Sequence, residues 1–319
     1  MPEAGDSLRV AVAQIAPVWL DRDATLAKVL RWIEDAADAG AQLVVFGEAL
    51  VPGYPFWVER TDGARFDSAL QKRLYAHYLD QGVCQQDGDL ASVQALAARR
   101  GIAVYLGVVE RARDRSGHTL YCALVYVDGE GVVGSVHRKL VPTYEERLVW
   151  GNGDGHGLRT HRLGPFTVGG LNCWENWLPL ARASLQGQGE DLHIAVWPGS
   201  EKNTADITRF AAREGRSWVV SVSGLMRRED IPDGVPEASL LRDAADDVMA
   251  NGGSAVAAPD GSWLLPPVVG EEALRVVDLD AALVREARQN MDVAGHYSRP
   301  DVTRLVVDRR RQSTVDDED

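Results

Sequence analysis

Cysteine is scarce: Cys84, Cys122 and Cys173 are the only three in 319 residues. An odd number at wide spacing provides neither a disulfide framework nor a zinc-ligand pattern, and it suits a reducing cytoplasm. Long apolar runs are missing as well. No stretch reaches about eighteen apolar residues, so no membrane-spanning helix is expected. The opening MPEAGDSLRVAVAQIAP has no basic leader and no long apolar core, so it does not read as a secretory signal. Positive charge is in deficit: 34 Lys and Arg against 47 Asp and Glu leave a net charge of −13. That balance argues against nonspecific binding to nucleic acid or to an anionic membrane. Part of the acidity lies at the C-terminus, where residues 311–319 read as a solvated, disordered acidic tail. No Pro/Gly/Ser-rich linker interrupts residues 1–310, and 45% apolar residues suffice for a large core, so this stretch reads as one domain.

What is present is an alternation of strand and helix patterns. Strands are predicted at 8–15, 43–46, 102–110, 132–138, 166–171, 192–197, 218–222, 254–258 and 274–279. Helices are predicted near 24–39, 67–79, 90–100, 178–186, 204–216 and 281–289. The turn DGEG at 128–131 marks a hairpin, and APDGS at 258–262 marks another in the second half. Interleaved elements of this kind form a layered α/β domain, and two halves that each carry strand–helix units and a hairpin hint at duplication.

Three chemically capable residues follow predicted strands. Cys173 ends the apolar run FTVGGLN and precedes a helical pattern, a place where backbone N–H groups can stabilise a thiolate or an oxyanion. Taken alone, a free cysteine is usually a core thiol. Glu48 follows the buried-strand pattern LVVF and Gly47, where partial desolvation would raise its pKa and make it a usable base. Taken alone, it is an ordinary solvated acid. Lys139 ends the strand at 132–138 and could place a fixed positive charge beside a developing anion; taken alone, it is a surface charge. An acid, a base and a thiol at strand ends are together the parts of nucleophilic catalysis by an activated cysteine. The glycine-rich GNGDGHG at 151–157 is no phosphate cradle, since it lacks the Lys-Ser/Thr and the strand–helix context, and it reads as a flexible loop near the site. His137 and His161 permit a Cys–His hydrolase reading, which has no matching motif around the cysteine.

Five segments share one resemblance: VAVAQIAPVWLD (10–21), FGEALVPGYPFW (46–57), HRKLVPTYEERLVWGNGDG (137–155), LNCWENWLPLAR (171–182) and GHYSRPDVTRL (295–305). In this order they resemble the nitrilase superfamily of carbon–nitrogen hydrolases over almost the whole chain. The pairing of Cys173 with Trp174 and Glu175, and the HRK triplet at 137–139, look like its nitrilase branch. The resemblance implies an α-β-β-α sandwich and a catalytic set of Glu48, Lys139 and Cys173. It also implies a second glutamate at Glu146, which its spacing from Pro142 and Arg147 favours over Glu145.

The same resemblance implies hydrolysis of a small-molecule nitrile to a carboxylic acid and ammonia through a covalent thioimidate and thioester. The alternatives are release at the amide stage by a nitrile or cyanide hydratase, action on small amides, or a non-enzymatic scaffold. Tyr54 and Trp174 are the expected substrate contacts among the aromatic residues near the motifs. No metal or organic cofactor is expected. A cytoplasmic homo-oligomer built on dimers, extending in some cases to a spiral filament, completes the implied picture.

Overall fold

The computed structural model describes residues 6–315 of the chain; the acidic residues 316–319 lie outside them. The first half contains β1 (Ser7–Gln14), α1 (Arg22–Asp38), β2 (Leu43–Phe46), α2 (Trp57–Arg60), α3 (Ala69–Asp80), α4 (Ala91–Arg100), β3 (Ala103–Arg111), β4 (Leu120–Val127) and β5 (Val133–Arg138). The second contains β6 (His161–Leu163), β7 (Phe166–Asn172), α5 (Pro179–Gln186), β8 (Leu192–Trp197), α6 (Glu201–Gly215), β9 (Trp218–Ser223), β10 (Leu225–Arg227), α7 (Ala238–Ala244), β11 (Val248–Ala257) and β12 (Trp263–Val269). The chain then returns through β13 (Ala273–Asp280) and α8 (Ala281–Asn290).

Alternation along the strands builds the layers. Val10 and Val12 of β1, with Leu43 and Val45 of β2, face Ile194, Val196 and Val220 of the other sheet and form the core between sheets. Ala11, Ala13, Val44 and Phe46 point the other way, onto Leu26, Val29 and Ile33 of α1 and Val93 and Leu96 of α4. Helix α1 forms because Leu26, Val29, Ile33 and Ala36 share one face, while the Asp21 side chain accepts the Ala24 N–H at its start. On the far side, Ala195, Trp197 and Val219 pack on Ile207 and Ala211 of α6. The result is the expected α-β-β-α sandwich.

The first sheet has the order β13-β1-β2-β3-β4-β5; the second runs β10-β11-β9-β8-β7-β6, with β12 on β11. Strands β1, β2 and β3 are parallel, as are β7, β8 and β9. Their C-terminal ends therefore lie along one edge of each sheet, and the Glu48 N–H donates to Trp197 O at 3.1 Å, joining the ends of β2 and β8.

The structure adds strands at His161–Leu163 and Leu225–Arg227, each too short to show a period. It also extends the predicted strand at 254–258 back to Val248, because Gly252 and Gly253, both at positive φ, interrupt the apolar alternation without ending the pairing. Arg311 and Gln312, read as the start of a solvated tail, instead bind the buried Asp154 carboxylate at 3.0 and 3.1 Å. Among the described residues no helix is long and apolar enough to cross a membrane.

Candidate active site

Glu48, Lys139, Glu146 and Cys173 converge in one buried cluster. The Lys139 ammonium lies 3.0 Å from Glu48 Oε1 and 2.7 Å from Glu146 Oε2. A Glu48 oxygen, a Glu146 oxygen and the Cys173 sulfur all lie within 4.8 Å of one another. Three such groups could in principle hold a metal, but the lysine already supplies a cation between the two carboxylates.

Each side chain has a local reason for its place. Cys173 sits where β7 turns into a short 3₁₀ turn, Cys173–Trp177, and its φ of 45° lies in the left-handed region. A non-glycine residue held there costs on the order of 1 kcal/mol or more, so the surrounding turn must enforce it. The Trp174 N–H, next along that turn, faces the sulfur and opposes the rise in its pKa that burial causes. Glu48 is carried by backbone that packs against Gly107 of β3; a Cβ at Gly107 would overlap the Gly47 carbonyl oxygen. Glu146 is fixed by a capping box: Thr143 N donates to its Oε2 at 2.6 Å, and the Thr143 side chain accepts the Glu146 N–H.

The electrostatics follow from burial. Desolvation raises the Glu48 pKa to about 7 against the opposing pull of Lys139. Desolvation acts against the Lys139 ammonium, but Cys173, Glu48 and Glu146 outweigh it and keep the lysine protonated well above its ordinary range. Burial, reinforced by Glu48, pushes the Cys173 thiol up, so its proton needs a neighbouring acceptor to leave.

The carbon–nitrogen hydrolase family model matches residues 9–289. The chain belongs to the carbon–nitrogen hydrolase family. It is 35% identical over 313 residues to an aliphatic nitrilase of Sinorhizobium fredii (strain HH103), covering 96% of this chain and 97% of that protein. It is 38% identical over 323 residues to a nitrilase of Pseudomonas syringae pv. syringae (strain B728a), covering 94% and 90%. A solved carbon–nitrogen hydrolase from Helicobacter pylori G27 shares the fold, with a TM-score of 0.69 at 17% identity, over 93% of this chain and 97% of that one.

The two expected substrate contacts of this carbon–nitrogen hydrolase differ in setting. Tyr54 turns its hydroxyl onto Glu146 Oε1 at 2.9 Å and sets its ring edge-on to Trp150, so it braces the carboxylate. Trp174 is 54% exposed and borders a groove of about 610 Å³ with Val141, Tyr144, Trp177 and Leu178.

Glu175 does more than mark the branch. Its carboxylate accepts from Leu140 N at 2.9 Å and Asn172 N at 3.0 Å, and pairs with His137 Nε2 at 2.8 Å. It thereby ties the segment bearing Lys139 to the turn bearing Cys173. Burial acts to raise its pKa, but His137 and the two N–H groups outweigh this and lower it. One level below, Asn176 Nδ2 donates to Cys173 O at 2.8 Å, while its Oδ1 meets His193 Nε2 at 2.8 Å.

The GNGDGHG loop is a close-packed brace rather than the flexible loop its glycines suggested. Gly153 N donates to Lys139 O at 2.8 Å, and Cβ atoms at Gly153 and Gly157 would overlap the backbone around Arg138 and His137. The glycines are needed for close approach.

Proposed function

We propose that this carbon–nitrogen hydrolase is a nitrilase. The reading is carried by one observation: a protonated Lys139 clamped between Glu48 and Glu146, beside the sulfur of Cys173. The 35% and 38% identities to named nitrilases support the choice of substrate class.

In this mechanism Glu48 takes the Cys173 proton as the sulfur forms a bond to the nitrile carbon. One π pair of the C≡N bond moves to nitrogen, which takes that proton from Glu48 to give a thioimidate, R–C(=NH)–S–Cys173, and leaves Glu48 ionised again. Lys139 and the Trp174 N–H stabilise the charge developing on nitrogen. Water, deprotonated by Glu48, adds to the thioimidate carbon. The amine is protonated and leaves as ammonia, and the C=O of a thioester forms. A second water adds, the C–S bond breaks, and the acid leaves as Cys173 regains its proton. The sum is R–CN plus two waters giving R–COOH plus NH₃. Glu146, saturated by Lys139, Thr143 N and Tyr54, acts by holding the lysine.

The substrate is a small organic nitrile approaching over Trp174. Assembly through dimers is supported by the exposed Leu180 of α5 and Phe210 of α6, and a cytoplasmic location by the three unpaired cysteines. Mass photometry that finds only monomers would refute the assembly.

The deciding experiment quantifies ammonia, acid and amide together from purified protein on aliphatic, aryl and arylacetonitriles. Acid with equimolar ammonia is expected. Amide without ammonia would make the enzyme a hydratase, and silence on nitriles with turnover of amides would make it an amidase.

A further inference from the structure

We propose that Cys122 is a positioning residue for Glu48: its S–H donates to Oε1 and leaves Oε2 as the oxygen that exchanges protons. This rests on the role given to Glu48 above. Cys122 lies within β4, where its sulfur is 3.4 Å from Glu48 Oε1 and 3.9 Å from Asn172 Oδ1. Its carbonyl oxygen accepts the Lys139 N–H at 2.8 Å. One residue thus touches Glu48, the backbone of Lys139 and the residue before Cys173.

A thiol has one proton, and here it has two acceptors. The carboxylate is nearer and charged, so it takes the bond. Asn172 already receives the Glu175 N–H on its side chain. Oε1 of Glu48 therefore receives two donors, Lys139 and Cys122, while the buried Oε2 has none. An unpartnered oxygen is costly in a purely structural carboxylate. For a base it is the vacant acceptor that the mechanism requires.

The titratable groups around Glu48 are Lys139, Glu146, Cys122, Cys173, Tyr54 and Tyr78. Lys139 and Cys122 favour its ionised form, and Glu146 opposes it. Burial and the Glu48 charge both keep the proton on Cys122, as a donor requires. Cys122 is itself no second nucleophile: it lies mid-strand between β3 and β5, without the turn N–H that faces Cys173.

The test compares the full-length wild type with Cys122→Ala, Cys122→Val (a filled site without a donor), Cys122→Ser and, as a remote control, Cys84→Ala. Two readouts are followed against pH: kcat and KM on the best nitrile, and the rate at which iodoacetamide alkylates Cys173, located by peptide mass spectrometry. Losing the donor should raise the Glu48 pKa, so the acidic limbs of both profiles move up by about 0.5–1 unit, the equivalent of one hydrogen bond. The Ala and Val variants should lose about tenfold in kcat with KM within twofold. Cys122→Ser should restore the limb and most of kcat, and Cys84→Ala should match wild type. Unmoved limbs in Ala and Val, or equal losses in Ala, Val and Ser, would overturn the proposal and leave Cys122 a packing residue. If Ala does not fold, Val and Ser decide between the same outcomes. The alkylation profile needs no turnover, so silence of the wild type on every substrate would sink the nitrilase reading and still leave this one decidable.

Discussion

Both sheets repeat one pattern: β1, β2 and β3 run parallel before β4 and β5 return, and β7, β8 and β9 run parallel before β11 and β12 return. Their strand ends nevertheless carry different chemistry. Beyond β2 stand Gly47 and Glu48, whereas beyond β8 stand Pro198 and Gly199. Lys139 follows β5, while Gly270 follows β12. The order reverses at the first strand of each sheet, where Ile15 follows β1 and Cys173 follows β7. The repeated topology therefore supplies equivalent edges, and single residues decide which edge is used. The acid and the cation come from one half and the nucleophile from the other. They meet because the sheets pack face to face with the β2 and β8 ends joined at Glu48 N and Trp197 O.

The sharpest break of this comparison is Cys173→Ala. If the second half contributes the nucleophile alone, ammonia release should fall by at least about 10⁴-fold. Turnover surviving in that variant would end the covalent mechanism. Lys139→Gln tests the first half. It should lower kcat by about 10³-fold or more and also lower the melting temperature, because Glu48 and Glu146 would face each other without the cation. Removing one partner of such a buried arrangement typically costs about 3–5 kcal/mol.

Glu146→Gln should reduce kcat about 10²-fold and Glu145→Gln less than twofold, since only Glu146 is buried against the lysine. The reverse pattern would show that the loop is read one residue out of place. The pH profile is a milder test. Glu48 works as a carboxylate and its pKa is raised to about 7, so kcat/KM should climb as pH rises through that value and fall about tenfold per unit below it. A flat profile between pH 5 and 7 would remove Glu48 as the base. The smallest effect is expected for Arg311→Ala, which takes one bond from buried Asp154. Stability should drop by about 1–2 kcal/mol in denaturant unfolding, with kcat within twofold.

Much of the site was legible because strand ends are legible. Short apolar runs that stop at Gly47-Glu48, at Lys139 and at Cys173 carry a local signal. Residues that act across the fold carry none. Glu175 was visible only as a neighbour of the cysteine; its bonds to Leu140 N and His137 come from residues 35 and 38 positions away. Cys122 lies in no motif, and counting back from the DGEG turn without a bulge would set it opposite Arg138. A register shift between Tyr126 and Val127 moves the pairing by one, so Ala123 meets Arg138 and Cys122 lies level with Lys139. Recognising that bulge was the one available signal for the second cysteine. Tyr54 was expected as a substrate contact from its nearness to Glu48 in the chain; that its hydroxyl meets Glu146 depends on how the Thr143 capping box turns that carboxylate.

By itself the sequence determined the layered α/β order, the strand ends that bear Glu48, Lys139 and Cys173, and the motifs of a carbon–nitrogen hydrolase. These rest on local periodicity and on residues close together in the chain. The tertiary structure alone decided that the three groups share one buried volume, that Glu48 is desolvated into the neutral range, that Glu175 ties the two halves together around them, and that Cys122 lies against Glu48. Those properties depend on sheet register and on exclusion of water, which exist only once strands far apart in sequence have paired and packed.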